Sequence, residues 1–465
     1  MEDALGKQPL EVAPVPRDGQ TFMVTHRLVL SIAVPMTLAY LTTPLLGITD
    51  TAVVGQFGDA ALLGGLAAGA IVFDLVFATF NFLRSGTTGL VAQAYGRGDG
   101  RAEQAWFWRA FAISIGIGVV LALVGPAIAW IGALFIDGGP AVTEAMKSYV
   151  IIRLLCAPFA LANYAILGYV LGRGEGMLGL FLQILLNGAN IALSIWLGLV
   201  LGWGLEGVAW GTVWAELIAS IVGLSIVLKR FGKLPRLPLS ELLDRIALRR
   251  MIAVNRDIMI RSFVLLFAFA LFARQGAQLG TLTLAANAVL MNFFLVAGYF
   301  LDGFATAAEQ LAGRAVGAGQ RKAFADSVRL SSFWGFALSG LVAAVVLIFG
   351  DQLVAFITTA ADVREQASAY LPWAALTAVS GVLAFQMDGV YIGATWSRDM
   401  RNMMLLSFVL YVAALFGLTA LSGNTGLWAA LHLFLIARGL SLTAILPFRM
   451  RETFASAPFP PEERR

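Results

Sequence analysis

The chain is 465 residues long, 59% hydrophobic and only 13% charged, with a mean hydropathy of +0.81. Soluble domains run at roughly 45–50% apolar and about 25% charged residues, so a water-soluble enzyme or binding module is excluded and a chain crossing a bilayer many times is implied. The net charge of +4 would raise nucleic acid as a partner in a soluble protein. Here the basic residues gather in loops, where they set orientation, and no nucleic-acid partner is expected.

Residues 1–24 read as a polar, Pro-containing, flexible cytoplasmic lead. Apolar runs of helical period follow at 28–54, 60–84, 105–134, 147–172, 177–201 and 204–230. The first is too long and too Pro-interrupted for a cleaved signal peptide. A basic, Pro-marked connector comes next, with Lys229, Arg230, Lys233, Pro235, Arg236, Pro238, Arg245, Arg249 and Arg250. Six more runs lie at 256–278, 282–308, 324–349, 366–394, 400–421 and 425–447. The division is a lead (1–24), an N-lobe (25–230), a connector (231–250), a C-lobe (251–448) and a cytoplasmic tail (449–465). No alternating strands suggest an outer-membrane barrel. The one cysteine, Cys156, sits in an apolar run, where it packs as a small hydrophobe.

The chain nearly repeats itself. Ala94, Gly96, Gly98, Phe135, Ile136, Val142, Tyr149, Gly168 and Gly172 return about 221 residues later as Ala315, Gly317, Gly319, Phe356, Ile357, Val363, Tyr370, Gly389 and Gly393. Many secondary transporters are built by such duplication, with the substrate site between the halves. Basic residues alternate from side to side along the spans, which places both termini in the cytoplasm, and six spans per half give the repeats one orientation. The expected fold is therefore all-α and integral to the membrane: twelve transmembrane helices in two six-helix lobes, related by a pseudo-two-fold along the membrane normal. The glycine loops at Gly96–Gly100 and Gly317–Gly319 read as tight turns, since neither has the GxxxxGK[ST] form of a phosphate cradle, and ATP drive is not expected. Gly65 and Gly69, spaced i, i+4, read as a helix contact.

A charge within hydrocarbon costs on the order of 2.5–3.5 kcal/mol even on lenient scales, so each intramembrane acid needs a reason. Asp50, deep in the first span, is the leading candidate for a protonatable or cation-binding group, with Pro35 and Pro44 as hinges in the same span. Asn190 and Ser194 share one face of the fifth span, near Asn187 and Thr212. Asp74, Asp302 and Asp388 form a second tier for substrate or cation, and Asp388 has no acid at its first-half counterpart, Leu167. Arg84, Arg153, Arg261, Glu206, Glu216 and Arg438 read as structural pairs or snorkelling side chains.

With these residues in hand, the chain resembles the multidrug and toxic-compound extrusion (MATE) transporters, in particular their DinF-like branch. The likeness rests on the order and spacing of Ala33-Val34-Pro35, Ile48 to Gly55, Asn255-Arg256-Asp257-Ile258, Ala285-Ala286-Asn287-Ala288, Phe300 to Ala305, and Asp388 to Ala394. The resemblance implies two lobes around a V-shaped cleft in the inner membrane. It also implies a monomeric, non-enzymatic antiporter without cofactor, exporting small organic, often cationic, lipophilic compounds by alternating access. The family's first-helix acid falls on Asp50, and its helix-5 Asn and helix-6 Thr fall on Asn190 and Thr212, but Ser194 stands where a second Asp would be. A single carboxylate is a poorer sodium site, which tilts the coupling ion toward the proton. A sodium ion at Asp50 or Asp388 stays open, and Asn287 joins the second tier of candidate residues. The rival class, a flippase of lipid-linked precursors, would call for a cavity ringed by arginine, whereas the basic residues here sit mainly in loops.

Overall fold

The protein is described by a computed structural model covering residues 22–455 except 137, 233 and 236. The expected lead over 1–21, Asp137, Lys233, Arg236 and the tail beyond 455 lie outside the described residues. All regular structure among the described residues is helical. The N-lobe comprises α1 (His26–Gly55), α2 (Ala60–Gly96), α3 (Gly100–Ile136), α4 (Pro140–Leu154 and Ala157–Gly172), α5 (Gly176–Val200) and α6 (Gly204–Phe231). The C-lobe comprises α7 (Arg245–Gln278), α8 (Thr281–Gly317), α9 (Arg321–Ile357), α10 (Ala361–Gly393), α11 (Ser397–Ser422) and α12 (Asn424–Phe454).

Three of these helices are interrupted, two of them beside a proline. In α1 the ladder stops at Thr42, two residues before Pro44, which has no N–H to continue it. In α4 the halves meet at 50° around Cys156, just before Pro158. Pro35, by contrast, lies within an unbroken segment, His26–Leu41. Of the two expected hinges, only Pro44 coincides with a break. α2 is interrupted at Asn81, whose side chain accepts a bond from Arg84 Nε at 3.2 Å.

Several helices outrun their apolar stretches. α2 continues to Gly96, α8 continues to Gly317, and α7 starts at Arg245, inside the expected connector. The added turns carry polar residues such as Gln93, Glu309 and Asn255, all buried against protein. Hydropathy marks where a helix meets lipid, not where it ends. The lipid-facing flanks are α3 and α9, each with only 22% of its apolar window buried, against 44% for α6, α10 and α12. These two flanks are repeats of one another, so the duplication holds in the packing.

The pseudo-two-fold is clearest where the lobes touch. Each lobe has six spans, so both ends of the chain emerge on one face, the terminal face. There the first segment of α1 packs on α8, and Phe82–Gly96 of α2 packs on α7, α8 and α10. A Cβ on Gly96 would strike the Arg314 carbonyl, and a Cβ on Gly317 would strike the Gln93 carbonyl, the same contact moved by one repeat. The seam is thus backbone against backbone, the reason for small residues in helix contacts that hydrophobicity cannot drive. Inside the N-lobe Gly65 lets α4 approach closely at Ala145, and Gly69 makes room for the ring of Tyr149. On the other side of the bundle Thr43–Gly55 packs against α2, α5 and α6 of its own lobe. The cleft therefore closes on the terminal face.

Gly393→Ala puts a methyl group into the Glu309 carbonyl of α8 and should destabilise the protein by about 1–3 kcal/mol. Gly340→Ala on α9 meets nothing within 4 Å and should hold or raise the melting temperature. Thermal unfolding of the two purified variants checks the contrast.

Candidate functional site

The innermost polar cluster of the N-lobe is built by close helix approach. On α6, Gly207 and Gly211 leave room for the α5 backbone at Leu197 and Ser194, where a Cβ would collide. α5 widens into a π-helical turn over Ser194–Val200, a local irregularity that often marks a working site. Together these bring Asn190, Ser194 and Thr212 to Asp50 of α1, which is only 6% exposed. Ser194 Oγ lies 3.1 Å from Asp50 Oδ1 and 3.4 Å from Asn190 Oδ1, while Asn190 Nδ2 donates to Thr212 Oγ1 at 2.9 Å. The hydroxyl of Ser194 has one proton for two acceptors. An ionised Asp50 takes it; a protonated Asp50 needs it less and leaves it for Asn190.

One turn along α5, Asn187 Nδ2 donates to Thr42 Oγ1 at 2.5 Å, and Thr42 Oγ1 donates to the Ala39 carbonyl at 2.6 Å. Asn187 thereby ties α5 to the residue at which α1 breaks. The Asp50 carboxylate and the hinge at Thr42 lie on one helix, about two turns apart.

Between the lobes lies a cavity of about 610 Å³. Its walls carry five carboxylates (Asp74, Glu216, Asp302, Glu309, Asp388) and three guanidiniums (Arg84, Arg153, Arg261), among Phe73, Phe77, Tyr164, Tyr299 and Phe385. Equivalent positions of the two repeats face one another across it: Tyr40 and Arg261, Asn81 and Asp302, Ser85 and Thr306, Leu167 and Asp388. The cavity therefore sits on the pseudo-two-fold axis. At its floor Tyr40 and Thr306 hydroxyls are 3.0 Å apart, and Arg84 Nη1 lies 4.0 Å from Glu309 Oε2, both contacts between lobes. Asp50 stands behind the N-lobe wall, and Arg153, which lines the cavity, is within electrostatic reach of it.

The sequence matches the MatE family model over residues 35–196 and 258–416, one match in each half. The chain belongs to the MatE family. It is 38% identical over 427 residues to DNA damage-inducible protein F of Escherichia coli (strain K12), covering 89% of this chain and 90% of that one. It is 24% identical over 449 residues to the probable multidrug resistance protein NorM of Chromobacterium violaceum, covering 90% and 93%. The fold is similar to that of a multidrug resistance MATE family transporter of the MOP superfamily in its outward-facing conformation, with a TM-score of 0.84 at 16% identity over 93% of this chain and 97% of that one. The protein is a multi-pass membrane transporter of two six-helix lobes.

Within this MATE fold the candidate residues separate. Asp50, Asn190, Ser194 and Thr212 come together, and Asn187 reaches the hinge. Asp302 is exposed into the cavity and makes no side-chain hydrogen bond among the described residues. Asp388, by contrast, is gripped by Arg438 Nη2 at 2.6 Å and by Arg261 through Nε at 3.1 Å and Nη2. With two guanidiniums on one carboxylate oxygen it holds α7, α10 and α12 together and is poorly suited to a sodium ion. Asn287, unlike Asp302 and Asp388, is not at the cavity. It trades hydrogen bonds with Asn424 at 2.7 and 3.1 Å and accepts one from Trp428 Nε1 at 2.9 Å, which fastens α8 to α12.

Other residues turn out differently from their sequence reading. Arg84, Arg153, Arg261 and Glu216 line the cavity, beside Asp74 of the second tier. Three arginines thus face the interior rather than the loops, although five carboxylates outnumber them, which is ill suited to a pyrophosphate cargo. Glu309 falls one residue beyond the expected end of its span and drew no attention. The signal that could have found it is its alignment with Thr88 in the first repeat, beside the duplicated glycines.

Asp388→Ala would leave Arg261 and Arg438 uncompensated in the interior and should destabilise the C-lobe by about 3–5 kcal/mol. A melting temperature equal to that of the unaltered protein would show the triad to be dispensable for folding.

Proposed function

We propose that the protein is a proton-coupled antiporter that exports lipophilic organic cations by alternating access, with Asp50 as its coupling group. It works as a monomer in the cytoplasmic (inner) membrane, both termini inside. The observation that carries this reading is the isolation of Asp50: a buried carboxylate with one hydroxyl donor, at a hinged helix, behind the wall of an inter-lobe cavity. The terminal face is closed, which makes this the outward-open state.

In that state the cation sits among the aromatic side chains with the unpaired carboxylates Asp302 and Asp74 as counter-charges, both within electrostatic reach of the Tyr299 hydroxyl. A proton arriving from outside neutralises Asp50. Ser194 then turns its proton to Asn190, the Asn187–Thr42 clamp on the same helix shifts, and α1 bends at Thr42. Bending swings Thr43 and Leu46, the part of the N-lobe wall that α1 supplies, into the cavity and expels the cation. The empty carrier returns and releases the proton inside.

The energetics are sufficient. A proton crossing 100 mV contributes about 2.3 kcal/mol, enough for a roughly fiftyfold gradient of a neutral solute. One-for-one exchange with a monovalent cation is electroneutral, so only the pH gradient then drives it. Sodium coupling is the less favoured alternative, because the Asp50 cluster offers one carboxylate and Asp388 is already paired.

Proteoliposomes test this directly. Wild-type efflux should follow an imposed pH gradient at fixed sodium and ignore a sodium gradient at fixed pH. Asp50→Asn should still bind an organic cation but lose the proton-driven component. Transport by Asp50→Asn that still tracks the pH gradient removes Asp50 as the coupling group, and transport that tracks sodium replaces the ion.

A further inference from the structure

A second pocket, of about 370 Å³, lies on the terminal face, away from the transport cavity. It is lined by the start of α7, the loop between α10 and α11, and Arg449 of α12. Its charges do not balance. Asp257 already accepts from Arg401 Nη1 at 2.7 Å and Arg256 Nη2 at 3.2 Å, and Asp399 is paired with Arg449 at 2.6 Å. That leaves Arg250 and Arg398, also in the lining, with no carboxylate partner among the described residues. Arg250 has only neutral contacts, Gln93 Oε1 at 3.2 Å and Thr395 Oγ1 at 3.4 Å, and the Arg97 guanidinium of the N-lobe repels it.

The backbone adds an independent sign. Thr395 sits at φ 57°, the one non-glycine residue with positive φ among the described residues. Its first-repeat counterpart is Gly174 at φ 78°, where the conformation is free of strain. A threonine in a glycine's place is held there by its surroundings, and such outliers gather at binding sites. Here the hydroxyl is the gain: Thr395 Oγ1 takes Gln93 Nε2 at 3.1 Å and faces Arg250. Gln93 Nε2 also donates to the Gly393 carbonyl at 3.0 Å, so the pocket's edge is the lobe seam itself.

We propose that this pocket binds a phosphate-type oxyanion on Arg250 and Arg398, carried by an anionic lipid headgroup or present as a free ion. An oxyanion there accepts from the two uncompensated guanidiniums and relieves the repulsion of Arg250 by Arg97. Because Arg250 is bonded to Gln93 across the seam, occupancy holds the lobes together on the terminal face and favours the outward-open state.

The test uses the full-length protein in detergent, at constant ionic strength, followed by its melting temperature. One arm titrates inorganic phosphate against chloride; another titrates short-chain phosphatidylglycerol against phosphatidylcholine. A saturable rise in the phosphate arm assigns the free ion, and one confined to phosphatidylglycerol assigns the headgroup. Arg250→Gln/Arg398→Gln should weaken the half-saturating concentration by about tenfold or more, since each charge-assisted bond lost is of that order. Arg250→Lys/Arg398→Lys, which keeps both charges, should retain part of the response and guards against a general loss of folding. No rise in either arm, or an equal rise in the Gln variant, overturns the proposal.

Discussion

Everything in this protein depends on how closely two helical lobes approach at the terminal face. Lipid gives helices no hydrophobic reason to associate, so contact area must come from backbones in van der Waals range. Gly96 and Gly317 provide it on the axis, and Gly393 and Gly172 repeat the device inside each lobe. A seam of this kind is tight but thin. It contains few side chains to unpack, so the lobes can part there without dismantling a core. The same closeness creates the cavity above it, because helices that meet at one end of a bundle diverge toward the other.

The second constraint is charge. A low-dielectric interior tolerates ionised groups only with partners, and the chain meets this in two ways. In the C-lobe Asp388, Arg261 and Arg438 satisfy one another and act as a fixed brace. In the N-lobe Asp50 has a single hydroxyl donor, which makes its ionisation the easier one to change. Two carboxylates in similar helices therefore take opposite roles, one structural and one proposed as a switch, according to the number of guanidiniums within reach.

Much of the architecture was legible in the sequence, because long apolar runs and a fixed repeat spacing are direct consequences of the bilayer and of duplication. The cluster around Asp50 was legible in part: helix periodicity puts Asn190 and Ser194 on one face, and only the family resemblance joined that face to Asp50. What escaped were relations between distant segments. Nothing local to Asp388 announces that Arg261 and Arg438 lie beside it, and nothing local to Asn287 announces Asn424 and Trp428. That α1 breaks at Thr42, beside Pro44, and runs unbroken through Pro35 also needed the structure, for both prolines read as hinges. Glu309 and Gln93 were overlooked for a common reason: both occupy polar turns that continue past the hydrocarbon-like stretch, buried by protein instead of lipid.

The cavity's position on the axis has an evolutionary corollary. Facing positions there are occupied by unlike residues: Tyr40 against Arg261, Asn81 against Asp302, Leu167 against Asp388. The glycines that shape the seam, by contrast, are shared by both halves. An ancestral homodimer of either half could have possessed the scaffold, yet each of its polar groups would have met its own twin, acid opposing acid. Two separately encoded halves escape that constraint, so the walls can diverge while the seam glycines stay matched.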